Sequence, residues 1–264
     1  MPDPNPMYHR FPFSLRQLRE NFPSGPQMLA NLVALMPADY YYRVWHFDED
    51  SIEARWATAV SAGGGPTAFA YNAQRNGGLQ GATGATDNDA TALHLDNVIF
   101  DPADNPMMLV RWRAPAAVTG FSFEIGFTDA KTDEFLPGIT DIDTPASGNG
   151  ITDGGGIHMD TDQTLTTAAA WGVGTSTTIL KTDMLTFTPT ASAIQYTMVG
   201  VREGLTYVAH WNAGALVGNR IWAVASGPDA AILVRPSLVF RTRNTTSKTI
   251  NIHSIVLAAE ENAT

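Results

Sequence analysis

Between Ile194 and Val217 the chain reads I-Q-Y-T-M-V-G-V-R-E-G-L-T-Y-V-A-H-W-N-A-G-A-L-V. Leu205, Tyr207, Ala209 and Trp211 fall on one face, while Thr206, Val208 and His210 fall on the other. That period of two is what a half-buried strand requires. Two apolar runs meet at Arg202-Glu203-Gly204, and a second turn follows at Asn212-Ala213-Gly214. Glycine supplies positive φ at little steric cost, so the stretch predicts a β-meander.

The same alternation recurs through most of the chain. Met108, Val110 and Trp112 oppose Leu109, Arg111 and Arg113, and Phe121, Phe123, Ile125 and Phe127 form the cleanest inward face. Further strands are expected at 40–47, 52–60, 91–100, 157–160, 166–171, 177–187, 221–225, 231–243 and 249–258. Pro236 cannot donate to a ladder, which predicts an edge or bulged position for its strand. Asn76–Gly84 and the Asp-, Thr- and Gly-rich stretch 129–156 read as long loops. Helix signals are confined to the first 37 residues. Ser14-Leu-Arg-Gln17 matches a capping box for a helix over 15–22, and Pro26 opens a second helix that Pro37 stops. The fold class expected is all-β: an antiparallel β-sandwich over residues 51–264, behind a Pro-rich arm and short helices over residues 1–50.

Composition narrows the function classes. The chain has 264 residues, enough for one large β domain, and no cysteine, which excludes disulfides and thiolate chemistry. With a net charge of −10 and its sixteen Lys and Arg residues scattered, nucleic-acid binding is not expected. Met28–Met36 is the most apolar stretch outside the strands and far short of the roughly 20 residues that span a bilayer. No basic, apolar leader opens the sequence, so synthesis in the cytoplasm is expected.

Trp56, Gly63-Gly-Gly65, Thr91-Ala-Leu-His-Leu95, Phe123-Glu-Ile-Gly-Phe-Thr-Asp129, Gly156-Ile-His-Met159, the hairpin from Val199 to Gly214 and Thr249-Ile-Asn-Ile-His-Ser-Ile-Val256 together resemble the concanavalin A-like jelly roll. More narrowly, the chain is similar to tailed-bacteriophage virion proteins that carry this sandwich behind an N-terminal helical segment. The resemblance implies a virion structural protein, a capsid decoration or accessory head or tail subunit, made in the host cytoplasm. Its partners would be further copies of itself and phage capsid or tail proteins. The fold also hosts lectins and glycanases, so the alternatives are a receptor-recognition module that binds host surface glycans and, more remotely, a glycoside hydrolase.

The residues speak to each of these. Met28, Leu29, Leu32, Val33, Leu35 and Met36 are candidate interface residues of a homo-oligomer, because a short apolar helix is not stable alone in water. Asp129, Asp133, Asp141, Asp143 and Asp153 crowd one loop with the oxygen ligands that Ca²⁺ prefers, although their spacing matches no calcium loop and no cofactor is expected. Asp48-Glu-Asp50-Ser-Ile-Glu53 offers carboxylates to a hydrolase that needs two of them about 5 Å apart, yet it lies at the start of the sandwich. No G-x-S-x-G and no histidine pair at zinc spacing occurs, so the chain is not expected to be an enzyme. His94, His210 and His253 fall inside strands as structural residues. Trp171, Trp211 and Trp222 could stack on sugar rings or fill a core.

Overall fold

The computed structural model describes residues 40–260 except 48–51, 54, 62–64, 73–77, 98, 131–150, 164–166, 175–177 and 185. The expected helices over 15–22 and 26–36 lie outside the described residues. Within them the chain forms strands β1 (Tyr40–His46), β2 (Trp56–Val60), β3 (Thr67–Tyr71), β4 (Leu79–Ala82), β5 (Ala90–Leu95), β6 (Met107–Arg113), β7 (Phe121–Thr128) and β8 (Gly154–Asp160). There follow β9 (Ala168–Val173), β10 (Leu180–Asp183), β11 (Ile194–Arg202), β12 (Leu205–Asn212), β13 (Ala215–Leu216), β14 (Trp222–Val224), β15 (Arg235–Thr242) and β16 (Thr249–Glu260). Two short 3-10 turns are the only helical segments among the described residues.

Two antiparallel sheets stack as a sandwich. One has nine strands along the path β13-β12-β11-β6-β16-β4-β3, with β1 on β16 and β14 on β12. The other has seven, in the order β10-β9-β8-β7-β15-β5-β2. The meander is β11, β12 and β13, with Gly204 at φ +66° in the first turn and Ala213 and Gly214 at +50° and +90° in the second. β1 pairs with β16 over seven residues, so the nine-stranded sheet already begins at Tyr40, within the stretch read from sequence as an attachment segment.

The core lies where the inward rows of the two sheets meet. Phe121, Phe123, Ile125 and Phe127 point into it from β7, and Met108, Val110 and Trp112 from β6. Trp112 sits 5.0 Å from Phe123 and 5.3 Å from Phe240 between ring centroids, joining one sheet to the other. Its indole N–H donates to Thr197 Oγ1 at 3.0 Å, and that hydroxyl lies 3.0 Å from Nδ1 of the buried His210. At one end the layers come closer still. A Cβ on Gly155 would stand 2.1 Å from Thr206 Oγ1 of the opposite sheet, so only glycine fits there.

Two local expectations change. Asn76–Gly84 contains a strand rather than only loop: β4 pairs with β16 and β3, and Gly81 belongs in it because a Cβ would meet Phe69 and Thr91 at 2.9 Å. β15 is a central strand between β7 and β5. Pro236 opposes Phe127 but precedes the stretch Ser237–Arg241 that pairs with β5, so its missing N–H costs that ladder nothing.

Truncating Trp112 to alanine is expected to cost about 3–5 kcal/mol, read as a lowered denaturant midpoint. A second expectation follows from His210, whose pKa burial lowers from 6.5 to about 3. The folded chain keeps the ring neutral, while the unfolded chain takes up a proton below pH 6.5. The stability that His210 contributes is therefore complete above pH 6.5 and lost as pH falls toward 3, at up to about 1.4 kcal/mol per pH unit. His210→Gln should flatten the pH profile of unfolding in that window. An unchanged profile would mean that the ring is charged in the fold.

Candidate functional site

A β-sandwich has two outer faces, and here they differ in kind. On the seven-stranded sheet the residues alternating with the core phenylalanines are Ser122 and Glu124 on β7, His158 and Asp160 on β8, and Val239 and Arg241 on β15. The register sets them in rows. Glu124 stands between Val239 and His158, and Ser122 stands between Arg241 and Asp160. Beside them Ala90, Ala92 and Val239 form a small apolar strip.

The charges in this patch balance. His158 Nδ1 lies 3.3 Å from Glu124 Oε2, and Arg243 Nε lies 3.0 Å from Asp160 Oδ2. Arg243 also donates to Asn88 Oδ1. Burial lowers the pKa of Arg241, against which Glu124 raises it, Arg243 lowers it and Asp160 raises it. Two carboxylates thus face two guanidinium groups, as buried charge requires.

Not every polar atom is satisfied. Nε2 of His158 and one Nη of Arg241 are buried without a hydrogen-bond partner. Glu124 and His158 are only 7% and 1% exposed, whereas Arg243 keeps a fifth of its side chain in solvent. The patch is therefore a largely buried set of donors and acceptors of both kinds, reached by solvent at Arg243. Such orphaned atoms also occur elsewhere in the fold, at Trp56, Trp171, Gln195 and Arg202, so what sets this patch apart is that they stand here beside paired carboxylates.

The residues singled out from sequence are placed as follows. Asp129 and Asp153 meet at the ends of β7 and β8, joined through Thr152. Asp129 accepts from Thr152 N at 3.2 Å and from its hydroxyl at 2.7 Å, and Asp153 Oδ1 accepts from Asp229 N at 2.8 Å. Thr152 Oγ1 also lies 3.1 Å from Asp153 Oδ2. Burial raises the pKa of Asp153, which the N–H of Asp229 and the Thr152 hydroxyl partly oppose. These carboxylate oxygens already face protein donors, which describes a clasp between loops rather than an open ligand cage. Asp133, Asp141 and Asp143 lie outside the described residues, as do Met28, Leu29, Leu32, Val33, Leu35 and Met36. Among the described residues no group of three His, Asp or Glu side chains could hold a metal ion.

Trp171, Trp211 and Trp222 are all buried, so none is a sugar platform. Trp171 packs with Ile151, Val173 and Ile179, and Trp222 belongs to the core. Glu53 accepts from Arg43 Nη2 at 2.9 Å and from Trp45 Nε1 at 3.0 Å, which ties the segment before β2 to β1. Glu124, His158, Asp160, Arg241 and Arg243 were not read as a group from the sequence. They are spread over β7, β8 and the end of β15, and the only signal was polar residues alternating with apolar ones.

No family model matches the chain, and no curated protein matches it in sequence. Solved structures do match its fold. A protein of unknown function from Shewanella oneidensis MR-1 superposes with a TM-score of 0.57 at 14% identity, covering 91% of this chain and 96% of its own. Peanut lectin gives a TM-score of 0.54 at 10% identity, with 84% and 98% covered. The exoplasmic/lumenal domain of VIP36, in its Ca²⁺- and Man3GlcNAc-bound form, gives 0.51 at 12% identity, with 82% and 88% covered. Identities this low establish architecture alone: the chain folds as a concanavalin A-like jelly roll. These structures give no support to a virion role.

Because Glu53 is half-exposed in an ion pair, Glu53→Gln is expected to lower stability by less than about 1 kcal/mol and to leave any activity of the outer face unchanged. Loss of ligand binding in that variant, with its melting temperature retained, would return Glu53 to the site.

Proposed function

We propose that this protein is a carbohydrate-binding module of lectin type, with its ligand on the outer face of the seven-stranded sheet at Glu124, His158, Asp160, Arg241 and Arg243. The observation that carries the reading is the pairing of orphaned buried atoms, His158 Nε2 and an Arg241 Nη, with carboxylates and a small apolar strip on one face. A sugar presents adjacent hydroxyls that both donate and accept, together with C–H faces that suit a shallow apolar floor. Carboxylates and guanidinium groups side by side meet both needs, and charge-assisted hydrogen bonds are the strong ones.

The fold supports the same reading. Peanut lectin is a lectin by name, and VIP36 was solved holding Man3GlcNAc. Glu124 and Asp160 are each engaged by a basic group, which suits binding better than the free acid and base of a hydrolase.

A glycan array probed with the full chain, with and without Ca²⁺, tests the proposal. Binding to a defined subset of glycans is expected, followed by at least a tenfold loss of affinity, about 1.4 kcal/mol, in Arg243→Gln. Arg243 lies at the rim, so that variant keeps the core intact; Glu124→Gln, which preserves shape, checks the floor. A silent array in both conditions overturns the reading, as does binding indifferent to both substitutions.

A further inference from the structure

The outer face of the nine-stranded sheet turns polar at one end. Arg111 and Arg113 follow Met107 and Leu109 along β6 and share their side, since side chains two apart on a strand point the same way. β16 supplies their neighbours: Ser254 opposes Arg111, and Asn251 opposes Arg113. The register shifts between Ile252 and Ser254, which leaves His253 as one extra residue. With that bulge Ile252 and Ile255 both stay in the core, and Asn251 and Ser254 both face out; in a regular strand, residues three apart would face opposite sides. Beyond Ser254, β1 brings the exposed His46 into the same row.

What this end of the sheet lacks is acceptors. A guanidinium offers five N–H donors and accepts nothing. Arg111 makes no hydrogen bond or ion pair among the described residues, and its Nε is buried. Arg113 donates to the carbonyl of Ser192 at 3.1 Å. Asn251 Oδ1 accepts from Gln80 Nε2 at 3.0 Å, so its amide NH₂ is the group left to offer. Ser254 is 1% exposed, and its hydroxyl is buried without a partner. β1, β4, β6 and β11 contain no Asp or Glu, and β16 has only Glu260 at its last position. On the opposite sheet the basic groups already face Glu124 and Asp160; here they face further donors.

We propose that Arg111, Arg113, Asn251 and Ser254 form a binding site for an oxyanion group: a sulfate, a phosphate or a carboxylate. Such a group is negative and offers only acceptors, which answers a set dominated by donors. Directly opposed residues on adjacent strands hold their Cβ atoms about 5 Å apart, and residues two apart along a strand are about 6.8 Å apart. The four side chains are therefore close enough to converge on one group, and the planar fork of arginine meets two of its oxygens at once. Arg111, Arg113 and Asn251 are partly exposed, so the group can enter between them, with Ser254 as the floor. Leu109 and Tyr196, the apolar neighbours of Arg111, are buried, and a charge pair beside them is worth more than one in open water. This site is separate from the proposed glycan site, which lies on the other sheet.

Titration calorimetry of the full chain with sodium sulfate, phosphate and acetate, at an ionic strength held constant with sodium chloride, tests the site. Saturable binding of at least one of these anions is expected, and the one bound most tightly tells a tetrahedral group from a carboxylate. Arg111→Gln and Arg113→Gln should each weaken that binding about tenfold or more, because each removes a charge-assisted hydrogen bond. Arg55→Gln removes the same charge from an exposed arginine before β2 and should leave binding unchanged. Absence of saturable binding for all three anions overturns the proposal. Equal weakening in Arg55→Gln and Arg111→Gln overturns it as well, since the attraction would then be to overall charge. Should Arg111→Gln fail to fold, the partly exposed Arg113 keeps the test decisive: unchanged binding in a folded Arg113→Gln also overturns the site.

Discussion

The contact of Trp112 with the opposite sheet is the constraint on which the rest of the structure depends. Its indole lies within 6.3 Å of Phe121, Phe123 and Phe240, all carried by the seven-stranded sheet. Aromatic pairs of this kind add about 0.5–1.5 kcal/mol each beyond the area that they bury. The one polar atom of the ring is satisfied by Thr197, so the tryptophan can sit at the centre without an orphaned donor. A slip of β6 by one residue would put Arg111 or Arg113 in its place, which sets the register of that strand.

Once the inward rows are committed, the outward rows are committed too, because successive side chains alternate. On β7 the four apolar residues facing in oblige Glu124 to face out, and on β8 Ile157 and Met159 do the same for His158 and Asp160. The core therefore builds the charged patch as its reverse side. The two outer faces diverge in consequence: one gathers balanced charges with unsatisfied atoms, while the other gathers methionines and aromatics. Burying charge gives little stability, whereas burying apolar surface contributes about 25 cal/mol per Å². The apolar outer face thus suits holding the fold together, and the charged one suits recognition.

Much of this was legible in the sequence. The meander from Ile194, the inward face of β7 and the alternation of β6 all follow from local period-two patterns that each strand carries by itself. Other readings failed for identifiable reasons. Asn76–Gly84 looks like a loop because glycines rarely favour strands, yet Gly81 is there to admit Phe69 and Thr91. Pro236 suggests an edge, but a proline can sit inside a sheet just beyond the end of one ladder. The tryptophans could have stacked on sugars or filled the core, since their ring suits both, and burial decides for the core.

By itself the sequence determined that this chain is an antiparallel β-sandwich without disulfides, because hydrophobic period, turn residues and the lack of cysteine are local properties. Tertiary structure decided which residues meet. Glu124 and His158 are 34 positions apart, and Asp160 and Arg243 are farther still. Strand order and register bring them together, and these depend on how the whole core packs rather than on any one segment. The same holds for the apolar outer face, whose residues come from β6, β11, β12 and β16. Each of those strands reads as an ordinary strand of a half-buried sheet, and only their side-by-side placement makes one continuous apolar face.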